Sequence, residues 1–122
     1  MPEPVSATII GAIALFGYIA VAIVAITVEI ITKWFRARGQ IKASNTNAIA
    51  FSLAERIANR DYAKVEGVFG PTTRAASTRI VQGFFDTGTG RVLDARALAS
   101  RQQPSPDVVR NHAAGRGLVV YT

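Results

Sequence analysis

The chain has 122 residues, a formal net charge of +6, 49% hydrophobic residues, no cysteine and one histidine. Disulfide staples, zinc–thiolate centres and cysteine nucleophiles are thereby excluded. A nucleic-acid face is not expected either. Arg74, Arg79, Arg91, Arg96, Arg101, Arg110 and Arg116 are scattered along the chain instead of forming a basic stripe with aromatic platforms.

The first element is the run from Val5 to Val28, which holds no charged side chain. About 20 helical residues cross a bilayer core of about 30 Å. A single segment satisfies its backbone in lipid only as a helix. The run therefore predicts one transmembrane helix over residues 5–32, with an external N-terminus at 1–4. A cleaved secretory signal fits poorly. Met1, Pro2, Glu3 and Pro4 carry no basic residue, and Glu29 to Arg36 offers no small-residue cleavage site.

No basic residue precedes the run, whereas Lys33, Arg36, Arg38 and Lys42 follow it closely. By the positive-inside rule the N-terminus lies outside and the chain after Lys33 is cytoplasmic. Residues 33–44 read as a basic juxtamembrane segment. In it Lys33, Trp34, Arg36, Arg38 and Lys42 contact the membrane surface, Trp34 at headgroup level and the cations near anionic lipid.

Within the run, Ala7, Gly11, Ala14, Ala22 and Ala25 share one helical face, interrupted by Tyr18 and continued by Glu29. Small residues let helices approach closely in lipid, so this stripe is the expected helix-packing interface. Glu29 precedes Lys33 in the favourable order for an ion pair one turn apart, and a structural pair or interhelical contact is expected there.

Residues 45–122 form the expected domain. Ser44, Asn45 and Thr46 offer capping oxygens, and Ile49, Leu53 and Ile57 recur at every fourth position, which predicts a helix from Asn45 to Asn59. Val65-Glu66-Gly67-Val68-Phe69 is echoed by Val81-Gln82-Gly83-Phe84-Phe85. Both segments read as short strands paired in one sheet, each with a glycine that marks a bulge or a close approach. Arg91 to Leu98 returns as the partner of the second strand across a hairpin turn. Ser105 and Pro106 open a short helix to Ala113, Gly115 stops it, and Leu118 to Tyr121 is a last strand. The fold class is thus a single N-terminal transmembrane helix followed by a small α+β domain: a short helix, a three- to four-stranded mainly antiparallel sheet, and a second short helix.

Phe85-Asp86-Thr87-Gly88 resembles the catalytic loop of aspartic proteases, over three residues only. Asp, Thr and Gly are also ordinary turn formers, and the segment reads as the hairpin turn. His112 has no accompanying carboxylate or cysteine pattern, and the glycines near Arg91 do not fit a phosphate loop. No catalytic residue, metal ligand or cofactor site is nominated. The expected function is that of a non-enzymatic, membrane-anchored structural or adaptor subunit. Its expected partners are the lipid bilayer, further copies of itself or another membrane protein. Alternatives are a filament or shell subunit of pilus or phage-coat type, whose apolar helix packs in the assembly core, and a small pore or holin-like protein.

Overall fold

A computed structural model describes residues 4–17, 19–57, 60–62, 64–65, 68–70 and 76–121. In chain order the elements are α1 (Pro4–Phe16), β1 (Val21–Ile23), α2 (Val28–Ala37), α3 (Gly39–Ser44) and β2 (Ala48–Ile57). They are followed by β3 (Arg60–Asp61), β4 (Thr78–Asp86), β5 (Arg91–Ser100), α4 (Pro106–Ala114) and β6 (Leu118–Tyr121).

The expected transmembrane helix is not present. Among the described residues no helix is long and apolar enough to cross a membrane. The single-pass architecture, with its external N-terminus and cytoplasmic domain, is therefore not supported. Residues 5–32 divide instead among α1, β1 and the start of α2, and the cause is local. Gly17, at φ +99°, takes a left-handed conformation that ends α1. The next stretch is rich in β-branched residues, Ile19, Val21, Ile23, Val24 and Ile26, whose restricted side chains favour strand over helix. The Thr27 side chain then accepts a hydrogen bond from the Ile30 N–H at 3.1 Å and caps a new helix.

The apolar run finds its apolar surroundings in protein. Ile9, Ala12 and Ile13, spaced at three and four along α1, are buried against Phe51, Leu53, Val81, Phe85 and Ala97. Burying a side chain the size of Ile9 or Ile13 contributes about 1.5–3 kcal/mol.

Six strands form one mixed sheet in the order β1-β5-β4-β2-β3, with β6 also paired to β2. β1 lies parallel to β5, and the other pairings are antiparallel. The domain remains α+β, but with six strands where three or four were expected. The expected helix over Asn45–Asn59 is the strand β2, and residues Ala58 and Asn59 lie outside the described residues. A spacing of four is also two strand periods. Moreover, Phe51, Ser52, Leu53 and Ala54 are all buried because β2 is covered on both faces, so no alternation marks it as a strand.

The echo between the two glycine-bearing segments also divides. Val81–Phe85 lies in β4, whereas Val65 is buried, and Val68 and Phe69 pack on the core, outside any strand. Glu66 and Gly67 fall outside the described residues. Gly83 does mark a close approach, since a Cβ there would collide with the Asp94 carbonyl oxygen of β5. The β4–β5 ladder is irregular just beyond it, between Phe84 and Phe85.

Helices cover both faces of the sheet. On one face α1 packs with Val65 and Phe69; on the other lie Ile31 of α2 and Val108 of α4. Trp34, Phe35 and Ile41 close over Ala50 and Phe84 on that second face.

Candidate functional site

Four constellations are candidates for function. The first is a buried polar chain. Ser105 and Pro106 start α4, and its last turn carries His112 onto the sheet. There His112 Nε2 lies 2.7 Å from Ser52 Oγ of β2, and Ser52 Oγ lies 2.8 Å from the Tyr121 hydroxyl of β6. His112 Nδ1 lies 2.7 Å from the Val108 carbonyl oxygen. A carbonyl only accepts, so Nδ1 carries the proton and Nε2 accepts from Ser52. The Ser52 oxygen in turn accepts from Tyr121. Burial pushes the His112 pKa below its usual value, against the opposing pull of the Val108 carbonyl. Burial likewise raises the Tyr121 pKa, with the Ser52 hydrogen bond opposing. A serine beside a histidine suggests a nucleophile and base. Here both are 0% exposed, and a backbone carbonyl replaces the orienting carboxylate. The pair is closed from solvent and, with Tyr121, joins β2, β6 and α4.

The second is an aromatic and arginine platform. Trp34 stacks on Phe84 at 5.8 Å between ring centroids, and Phe35 meets Phe84 edge-on at 5.3 Å. The Arg38 guanidinium sits 4.2 Å from the Trp34 ring centroid, and Arg96 sits 5.6 Å from it. Arg38 Nε donates to Asp94 at 3.0 Å, and Arg96 Nε donates to Gln82 Oε1 at 2.7 Å. Burial, followed by the nearby charge of Arg38, lowers the Arg96 pKa. These contacts fasten α2 to the sheet.

The third is a charged cavity of about 350 Å3 lined by Glu55, Asp61, Tyr62, Lys64 and Arg79. Arg79 Nε lies 2.9 Å from Glu55 Oε1, close enough for an ion pair although the N–H is not aligned on the oxygen. Glu55 Oε2 accepts from the Val65 N–H at 3.0 Å. Both Glu55 oxygens thus serve internal contacts.

The fourth is the sheet edge at β1. Ala97 N donates to Ala20 O at 2.9 Å and Val24 N donates to Ala99 O at 3.2 Å. With Val21 opposite Ala97 and Ile23 opposite Ala99, the backbone groups of Ala20, Ala22 and Val24 face β5. Alternation along the strand turns the N–H and C=O groups of Val21 and Ile23 outward. No strand among the described residues pairs with that outer edge.

The expected interface stripe is dispersed. Ala7, Gly11 and Ala14 are exposed on α1, Ala22 is half-buried in β1, Ala25 is exposed between elements, and Glu29 is exposed in the first turn of α2. Tyr18 lies outside the described residues. Of the expected membrane-surface residues, Lys33, Arg36 and Lys42 are exposed, Trp34 is buried, and Arg38 is half-buried over it. Sequence reasoning missed the pairing of Ser52 with His112 and the outward edge of Val21 and Ile23. The β-branched run after Gly17 was a readable signal for the latter. Among the described residues no group of three metal-ligating side chains is assembled.

Neither a protein-family model, nor a curated protein, nor a solved structure matches this chain.

Proposed function

We propose that the chain is a non-catalytic structural subunit that assembles with further copies of itself through the open edge of its sheet. The observation that carries this reading is β1: uncharged, apolar, at the sheet margin, with Ile23 73% exposed. An unpaired edge is a template for another strand, and proteins that avoid such pairing place Lys, Pro or inward charges there. Part of the opposite margin has such a guard, since β3 consists of Arg60 and Asp61. β1 has none, as no charged residue occurs from Val5 to Val28.

A filament or shell subunit is a second reading, favoured by the outer edge of β6, where Val120 is 43% exposed. Joining β1 of one copy to β6 of the next is a head-to-tail contact, which builds an open filament where its rotation does not close a ring. Light scattering of the purified chain tests both readings. A discrete multiple of the protomer mass, reduced to monomer by Ile23→Lys, is expected. Long polymers in negative stain would favour the filament, and a monomer at every concentration would remove both readings.

A further inference from the structure

We infer that two copies join β1 to β1 antiparallel about a two-fold axis, with Ala22 of each copy on the axis. This inference rests on the assembly reading above and adds its register and symmetry. The outward groups of β1 belong to Val21 and Ile23, because Ala20, Ala22 and Val24 already bond β5. Reversing a second copy sets Val21 opposite the second copy's Ile23, and Ile23 opposite the second copy's Val21. Each pair then exchanges both N–H···O=C bonds, and Ala22 meets its own copy as the non-hydrogen-bonded pair between them. A slip by one residue would aim groups that β5 already uses at the newcomer. A slip by two would leave one of the two pairs outside the strand. The register is therefore set by the existing ladder.

The side chains agree with this arrangement. Val21 packs into the core on the α1 face, and Ala22 packs on the α2 face. Strand alternation puts Ile23 on the same face as Val21, where its side chain is 73% exposed. A two-fold axis perpendicular to the sheet preserves that face, so each Ile23 comes to lie beside the second copy's Val21 and is covered. A parallel pairing would turn the α1 face of one copy toward the α2 face of the other and leave Ile23 uncovered. Charge also permits the contact. The molecule carries +6 overall, yet the stretch that meets its copy has no charge from Val5 to Val28, so like charges are not forced together.

Because the chain has no cysteine, one introduced thiol reads the register cleanly. Non-hydrogen-bonded pairs hold their Cα atoms about 4.5 Å apart, inside the range a disulfide spans. The full chain carrying Ala22→Cys is oxidised at a concentration where light scattering reports its mass. A covalent dimer reversed by reductant is expected as the main product, while Ser44→Cys, on exposed α3, gives only collisional traces. A dimeric mass without the Ala22→Cys crosslink overturns this register and leaves assembly through another surface. A monomeric mass overturns the assembly reading as well. Val21→Pro supplies an independent measurement, since it removes an outward N–H that β5 does not use. It is expected to weaken dimerisation about tenfold or more, the effect of losing about 1.4 kcal/mol. Unchanged dimerisation in that variant overturns the pairing.

Discussion

The Ser52 hydroxyl of β2 donates to His112 Nε2 of α4 across 2.7 Å, with both side chains 0% exposed. This contact and the Tyr121 hydroxyl behind it tie β2, α4 and β6 together, although Ser52 and His112 are 60 positions apart in the chain. A buried donor or acceptor deprived of its partner costs about 1–3 kcal/mol, so the chain Tyr121→Ser52→His112→Val108 is expected to dominate the stability of the C-terminal third.

Ser52→Ala strands two groups at once, the Nε2 acceptor of His112 and the hydroxyl of Tyr121. A loss of about 2 kcal/mol in urea unfolding is expected. Tyr121→Phe removes only the outermost donor and leaves Ser52 bonded to His112, so it is expected to cost under about 1 kcal/mol. Equal losses from the two variants would contradict the donor order assigned here.

The same chain gives a pH dependence. His112 has a folded pKa lowered from the ordinary 6.5, chiefly by burial. Between the folded and unfolded values the unfolded chain binds more protons, so unfolding becomes more favourable as pH falls. The contribution of His112 is therefore complete above about 6.5 and is lost as pH drops through the folded value. The denaturation midpoint should fall on going from neutral to mildly acidic buffer. His112→Gln, which has no imidazole to titrate, should show a flatter profile over that window. Parallel profiles for parent and variant would refute the assignment.

Trp34 is the only tryptophan and is 8% exposed, stacked on Phe84. Its emission should be blue-shifted in the native protein and move red as α2 leaves the sheet. Trp34→Ala is expected to cost about 3–5 kcal/mol. Arg38→Ala should cost less than about 1 kcal/mol, because its pair with Asp94 is 38% and 36% exposed by side chain and solvent screens it.

Gly83→Ala tests the close approach inside β4. The added methyl meets the backbone carbonyl of Asp94, which cannot yield without disturbing the β4–β5 ladder. A loss of about 1–3 kcal/mol is expected, measured by thermal unfolding. No loss would mean that the two strands are farther apart than described.

Local chemistry was legible where one short segment decides the outcome. The β4–β5 turn rests on Asp86, whose Oδ1 accepts from the Gly88 N–H at 2.8 Å and the Thr89 N–H at 3.3 Å. That side-chain turn is readable from the residues alone. The limits of α4, at Pro106 and Gly115, follow from the residues in the same way, although the Ser105 side chain makes no capping hydrogen bond. So does the terminal strand Leu118–Tyr121, although its partner was not predicted: it pairs with β2 of its own chain.

What failed were readings that depend on the surroundings of a segment. An apolar run states only that it avoids water. Lipid and a protein core both satisfy it; Gly17, the β-branched run and the Thr27 cap interrupt the helix locally, and β5 with the α1 face of the sheet supplies the core. Ile49, Leu53 and Ile57 fit a helix stripe and a strand alike, and burial from both sides made β2 a strand. The candidate interface lies in the same category. Residue types made the stretch from Val21 to Ile23 apolar, but its place at the sheet margin, and hence its outward backbone groups, came from pairing with residues 97–99. Composition, capping and turn chemistry were determined by the sequence itself because they act within a few residues. The neighbours of each face, and so the meeting of Ser52 with His112 and the open edge of β1, were decided only by tertiary structure, because burial and strand pairing depend on contacts between distant parts of the chain.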